Sequence, residues 1–117
     1  MLEGKTVAVV IPAYDEENLV GTTIRGVPDF VDRIFVVDDA SRDGTATAAR
    51  EAGDGRVIVL THERNSGVGG AIVTGYLKAR DDRIDVTAVM AADAQMDPDD
   101  LETLVGAVAR GDRKSVV

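Results

Sequence analysis

Val7-Ala-Val-Val-Ile-Pro-Ala-Tyr-Asp-Glu-Glu-Asn18 joins an unbroken apolar, β-branched run to a polar, acidic loop, and this junction sets the reading of the whole chain. A run without polar alternation marks a strand covered on both faces. Pro12 is expected to stop it, because proline has no N–H to give to a ladder. The pattern returns at Ile34-Phe-Val-Val37, Val57-Ile-Val-Leu60 and Val86-Thr-Ala-Val-Met90. Each run is separated from the next by enough chain for a crossover helix, so the order reads β-α-β-α-β-α-β-α. The expected fold is α/β: a Rossmann-like, open, mostly parallel sheet with helices on both faces.

The segments between the runs agree. Thr45, Ala48, Ala49 and Ala52 fall on one helical stripe, as do Leu101, Leu104, Val105 and Val108. The alanines imply a close approach of helix to sheet. Asp97-Pro98-Asp99-Asp100 is a helix start, with Asp97 as N-cap, Pro98 at the first helical position and acids at the positive end of the dipole. The last helix is expected from Pro98 to Arg110.

With 117 residues, 44% of them hydrophobic, the chain fits one domain spanning residues 1–117. Aromatics are 3% of it and Trp is absent, so the core must come from Val, Ile, Leu and Ala. A formal charge of -8 would repel a phosphate backbone or an anionic membrane surface, which argues against nucleic acid as a partner. The absence of cysteine removes thiol catalysis and thiolate metal sites. No apolar run approaches the roughly 20 residues of a membrane span, so the expectation is a soluble, cytoplasmic protein.

In an open parallel sheet, ligands sit outside the carboxyl ends of the strands. Four stretches occupy those places: Pro12 to Asn18, Asp38-Asp-Ala-Ser-Arg-Asp-Gly-Thr45, Asn65-Ser-Gly-Val-Gly-Gly-Ala71 and Ala91-Ala-Asp-Ala-Gln-Met-Asp97. All four should face one crevice. Each also has a plain structural reading: Asp15, Glu16 and Glu17 as first-turn acids, Asp39 as a cap, and Gly67, Gly69 and Gly70 as a turn. The glycines do not make a dinucleotide fingerprint, because Ile72 stands where the third glycine would be. His62, the single histidine, is expected to be packed or solvated and has no assigned role.

Taken together and in this order, the four stretches resemble the N-terminal half of family 2 glycosyltransferases with a GT-A fold. The polyprenyl-phosphate (dolichol-phosphate) glycosyltransferases are the most similar branch. The resemblance covers the chain to about Arg110. It implies that Pro12, Ala13, Tyr14 and Glu16 cradle base and ribose, and that the acid pair is Asp38 and Asp39, with Asp39 accepting from a nucleobase N–H. It also implies that Asn65, Gly69 and Gly70 belong to a glycine-rich loop that lets nucleotide approach the backbone. Relatives often carry a basic residue where Val68 stands.

Family members commonly hold a divalent cation with Asp-x-Asp followed by x-Gln, and here Ala91-Ala-Asp-Ala-Gln95 keeps the second Asp and the Gln. Asp93 and Gln95 are thus the implied ligands of Mg2+ or Mn2+, which neutralises a leaving diphosphate. The implied donor is a UDP- or GDP-sugar and the implied acceptor a polyprenyl phosphate. In relatives the catalytic base lies beyond Arg110, so no catalytic residue is assigned, and residues 1–117 are expected to bind donor without transferring sugar. Three alternatives stand beside this reading: a receiver-like Mg2+-binding signalling module, a sugar-1-phosphate nucleotidyltransferase-like domain, and a self-associating module using an unpaired sheet edge. A receiver should show a fifth strand with Lys, and none is evident. A nucleotidyltransferase should carry a glycine-rich basic loop after the first strand, where this chain has Pro12-Ala-Tyr-Asp-Glu16.

Overall fold

The computed structural model describes residues 1–93, 98–110 and 115–116. Five parallel strands form one sheet: β1 (Val7–Ala13), β2 (Arg33–Asp38), β3 (Val57–Thr61), β4 (Val86–Val89) and β5 (Ser115–Val116). They lie in the order β3-β2-β1-β4-β5. The chain moves outward from β1 to β3 and then crosses back to β4, which places a topological switch point between β1 and β4. That is the order of the doubly wound nucleotide-binding sheet; a receiver sheet runs 2-1-3-4-5 instead.

Side-chain alternation builds two cores. Val7, Val9, Ile11 and Ala13 of β1, with Ile34 and Val36 of β2, face α1 (Val20–Arg25), α2 (Thr45–Ala52) and α4 (Pro98–Arg110). Ala8, Val10, Phe35 and Val37 point the other way, onto α3 (Gly67–Asp81). All ten of these strand side chains are buried, as a sheet sandwiched by helices requires. On its inner side α3 buries only Ala71, Gly75 and Ala79. A Cβ at Gly75 would sit 2.3 Å from Val10 Cγ1, so the helix rests almost backbone to sheet.

Four expectations are corrected. β1 does not stop at Pro12 but runs to Ala13, with Pro12 paired to Val37. The Val10 carbonyl accepts from Met90 N–H and the Ala13 carbonyl from Asp39 N–H, so β1 alternates its polar groups between β4 and β2. By that alternation the Pro12 nitrogen faces the β4 side, where β4 has already ended at Val89, and no ladder bond is lost. β3 is only half-buried, because it forms a sheet edge. Leu104 is 46% exposed, and the buried stripe of α4 is Leu101, Val105 and Ala109. β5, two residues long, was too short to register as a periodic run. The predicted span of α4 matches, while its predicted N-cap Asp97 lies outside the described residues.

Candidate functional site

The loops leaving β1 and β2 are stitched to each other. Asp15 N–H donates to Ser41 Oγ (3.0 Å), and the Asp15 carboxylate accepts from Arg42 N–H (2.8 Å) and from the Arg42 guanidinium (3.0 Å). Glu16 N–H reaches Thr45 Oγ1 (2.9 Å), while Glu17 N–H and its carboxylate bond Asp43 and Gly44 N–H respectively. Asp15 (φ 52°) and Ala40 (φ 62°) adopt left-handed backbone to allow these approaches. The acids therefore do not sit in the first turn of α1, which starts only at Val20. Tyr14 stands at the rim, half exposed, with the Arg42 guanidinium 5.9 Å from its ring centroid. The Asp43 carboxyl is held below its ordinary pKa, chiefly by the Thr45 hydroxyl that donates to it.

Asp39 is the most heavily engaged side chain of the site. Its Oδ1 accepts from His62 Nδ1 (2.8 Å), Ser66 N–H (2.8 Å) and Ser66 Oγ (2.9 Å), and its Oδ2 accepts from Gly67 N–H (2.8 Å). The carboxylate thus caps the N-terminus of α3 from another element, satisfying backbone donors that the helix leaves open. Burial by itself would raise its pKa, yet the donors from His62, Ser66 and Gly67 outweigh burial and the net shift is downward. Asn65 completes the corner, donating to the Asp39 carbonyl (3.2 Å) and accepting from Gly67 N–H (3.1 Å).

These groups border a cleft of about 310 Å³ at the carboxyl ends of β1, β2 and β4 and the start of α3. Residues from all four predicted stretches line it: Pro12, Ala13, Tyr14 and Glu16; Asp39; Asn65; and Asp93, with Ala91 and Ala92 beside it. Gly67, Val68 and Ala71 supply the wall at α3. Val68 is 68% exposed and adds an apolar side chain to this wall.

Three predicted residues fall outside the lining. Asp38 is buried and turned into its own loop, where its carboxylate accepts from Ser41 N–H (3.0 Å). Gly70 has a packing role instead: a Cβ there would lie 2.5 Å from Ser66 Oγ and disturb the hydroxyl that serves Asp39. A Cβ on Gly69 would meet only open space. Gln95 lies outside the described residues. Conversely, His62, Ser66 and Thr74 belong to the support of Asp39 and were not predicted. The available signal was position, since His62 follows β3 directly and extends its pairing through His62 N–H to the Asp38 carbonyl.

Among the described residues no group of three His, Cys, Asp or Glu side chains is arranged to hold a metal ion. Asp93 brings one hard oxygen ligand to the cleft edge. Such a donor set fits a cation that arrives with a diphosphate and takes most of its shell from phosphate and water. Among the described residues no helix is long and apolar enough to cross a membrane.

Comparison with known proteins agrees with this architecture. Residues 8–117 match the model of glycosyl transferase family 2, past the Arg110 limit expected from the motifs. The chain is 30% identical to a UDP-N-acetylglucosamine–dolichyl-phosphate N-acetylglucosaminyltransferase of Methanococcus voltae, over 97% of this chain and 51% of that protein. It is 36% identical to an undecaprenyl-phosphate mannosyltransferase of Micrococcus luteus, over 91% of this chain and 45% of that one. The chain thus spans about half the length of these relatives. A crystal structure of glucosyl-3-phosphoglycerate synthase from Mycobacterium tuberculosis superposes with TM-score 0.74 and 26% identity, over 92% of this chain and 42% of that one. The same enzyme with Mn2+, UDP-glucose and phosphoglyceric acid superposes with TM-score 0.62 and 25% identity, over 76% and 33% of the two chains. The half-open, doubly wound sheet with its strand-end cleft is therefore a GT-A fold, and the chain belongs to glycosyl transferase family 2.

Proposed function

We propose that the cleft binds a nucleoside diphosphate sugar together with Mg2+ or Mn2+, as the donor-binding half of an enzyme that transfers the sugar to an acceptor such as polyprenyl phosphate. The observation that carries this reading is the convergence of all four strand-end loops on one cleft, with Asp39 after β2 and Asp93 after β4, on either side of β1. Pro12, Ala13 and Tyr14 offer an apolar and aromatic surface for a base, and Asp39 Oδ2, with one donor, keeps capacity for a ring N–H. Asp93, with Gln95 by family resemblance, would hold the cation. A bound divalent cation supplies charge neutralisation for the departing diphosphate when the bond to the anomeric carbon breaks. The likeness to a structure containing Mn2+ and UDP-glucose supports this assignment, and the dolichyl- and undecaprenyl-phosphate relatives support the acceptor class.

Calorimetric titration of the chain with UDP, GDP, CDP and ADP, each with and without Mn2+, tests the reading. UDP or GDP should bind, and Mn2+ should strengthen the binding. Indistinguishable heats for all four nucleotides would overturn it. The 117 residues should turn over no donor sugar on polyprenyl phosphate, which a radiolabel transfer assay checks directly.

A further inference from the structure

His62 is 18% exposed at its side chain and carries a hydrogen-bond partner on each ring nitrogen. Nδ1 faces Asp39 Oδ1 at 2.8 Å and lies 3.1 Å from Ser66 Oγ, and Nε2 lies 2.7 Å from Thr74 Oγ1. An ionised carboxylate has no proton to give, so the shared proton rests on Nδ1. In the neutral ring Nε2 then accepts from the Thr74 hydroxyl, which otherwise donates to the Gly70 carbonyl at 3.1 Å. The imidazole is thereby a strut between the sheet and the second turn of α3, with its tautomer set at both ends.

The donors on Asp39 are unequally divided. Oδ1 takes three of the four and has no capacity left, while Oδ2 takes only Gly67 N–H. Among those donors His62 is the only side chain from outside the Ser66–Gly67 corner, so it holds the carboxylate against rotation about its Cβ–Cγ bond from a second direction. A base-reading acceptor that is held in one orientation discriminates better than one that can turn, because an aligned pair loses more when the ligand donor is removed.

We propose that His62 is a positioning residue for base selection: it braces Asp39 Oδ1 from outside the Ser66–Gly67 corner and so presents Oδ2 as the acceptor that recognises a nucleobase ring N–H. This rests on the nucleotide-binding reading of the cleft. Ser66 and Gly67 both belong to the start of α3, whereas His62 follows directly on β3, so it alone of the donors reaches the carboxylate from the sheet.

The test compares UDP with its N3-methyl analogue, and GDP with N1-methyl GDP, by calorimetry in Mg2+. The unmodified chain should prefer the nucleotide that retains its ring N–H by about tenfold or more, the ordinary worth of a hydrogen bond to a charged acceptor. His62→Ala should bring that ratio to within about twofold of unity. His62→Asn, whose amide can occupy the Nδ1 position, should restore most of it, whereas His62→Gln should not. A merely structural histidine would lower affinity for both nucleotides together and leave the ratio intact, and that result overturns the proposal. Absence of nucleotide binding by the unmodified chain overturns the cleft reading as well, so the two failures are separable. A second readout needs no variant of His62: as the single histidine, its 15N spectrum should show the Nδ1–H form, lost in Asp39→Asn. A ring mainly in the Nε2–H form would refute the geometry.

Discussion

The two ends of the cleft are built on opposite plans. At the end proposed for the base, Asp39 is buried and held by four donors, and the flanking loops are tied together through Asp15, Glu16, Glu17, Ser41 and Thr45. At the end proposed for the diphosphate, Ala91 stands at the position where the motif resemblance led to an expected acid, and Asp93 is the one described carboxylate of that stretch. Under the proposed function the contrast teaches a division of labour: the base pocket is held by side chains of the protein, and the cation takes much of its shell from the ligand. A prepared pocket limits the ordering cost of binding, and a cation that shares its shell with the nucleotide makes the two depend on each other.

The largest expected break in this contrast is Asp39→Ala. It removes the shared acceptor of the donors on His62, Ser66 and Gly67, and should cost about 1–2 kcal/mol in stability, read by urea denaturation. Nucleotide affinity should fall by roughly a hundredfold with or without Mn2+, read by calorimetry. Asp93→Ala should act on the other end alone. It should remove the Mn2+-dependent gain in UDP affinity, expected to be roughly tenfold as ordinary ligand–ligand coupling goes, and leave metal-free affinity unchanged. Equal loss in both conditions would show that the two ends are not separable.

Ala91→Asp sharpens the comparison by supplying the missing acid. Mn2+ should then bind several-fold more tightly in the presence of UDP, because a second hard oxygen joins the shell. The smallest effect is on the pH profile. The folded-state pKa of Asp39 is depressed, so its contribution to stability is complete above the unfolded value and is lost as pH falls through the folded one. Denaturation midpoints should therefore show an Asp39-dependent decline only from roughly pH 4 downward. Asp39→Asn should lack that component, although Asp43, depressed in the same direction, retains its own.

Legibility followed the same division. The strand runs, the span of α4 and the crevice location could be read because burial on both faces and helical spacing are local patterns. Pro12, Leu104 and β3 departed from expectation because each depends on a neighbour: where β4 ends, what α4 packs against, and which strand is the edge. Asp38 and Asp39 are adjacent acids with no local sign of which one faces the cleft; the strand's alternation and the start of α3 decide it. His62 offered no spacing motif, since the two partners that fix its ring, Asp39 and Thr74, are 23 and 12 residues away.

By itself the sequence determined the alternation of strands and helices, the four loops that meet at the site, and the family resemblance, because these are properties of short segments and their order. Only the tertiary structure decided the sheet order, the seating of α3 against Val10 at Gly75, and the division of donors on Asp39. Those depend on which surfaces meet across the fold, and a hydrogen bond between residues far apart in the chain exists only once burial has brought both partners to the same place.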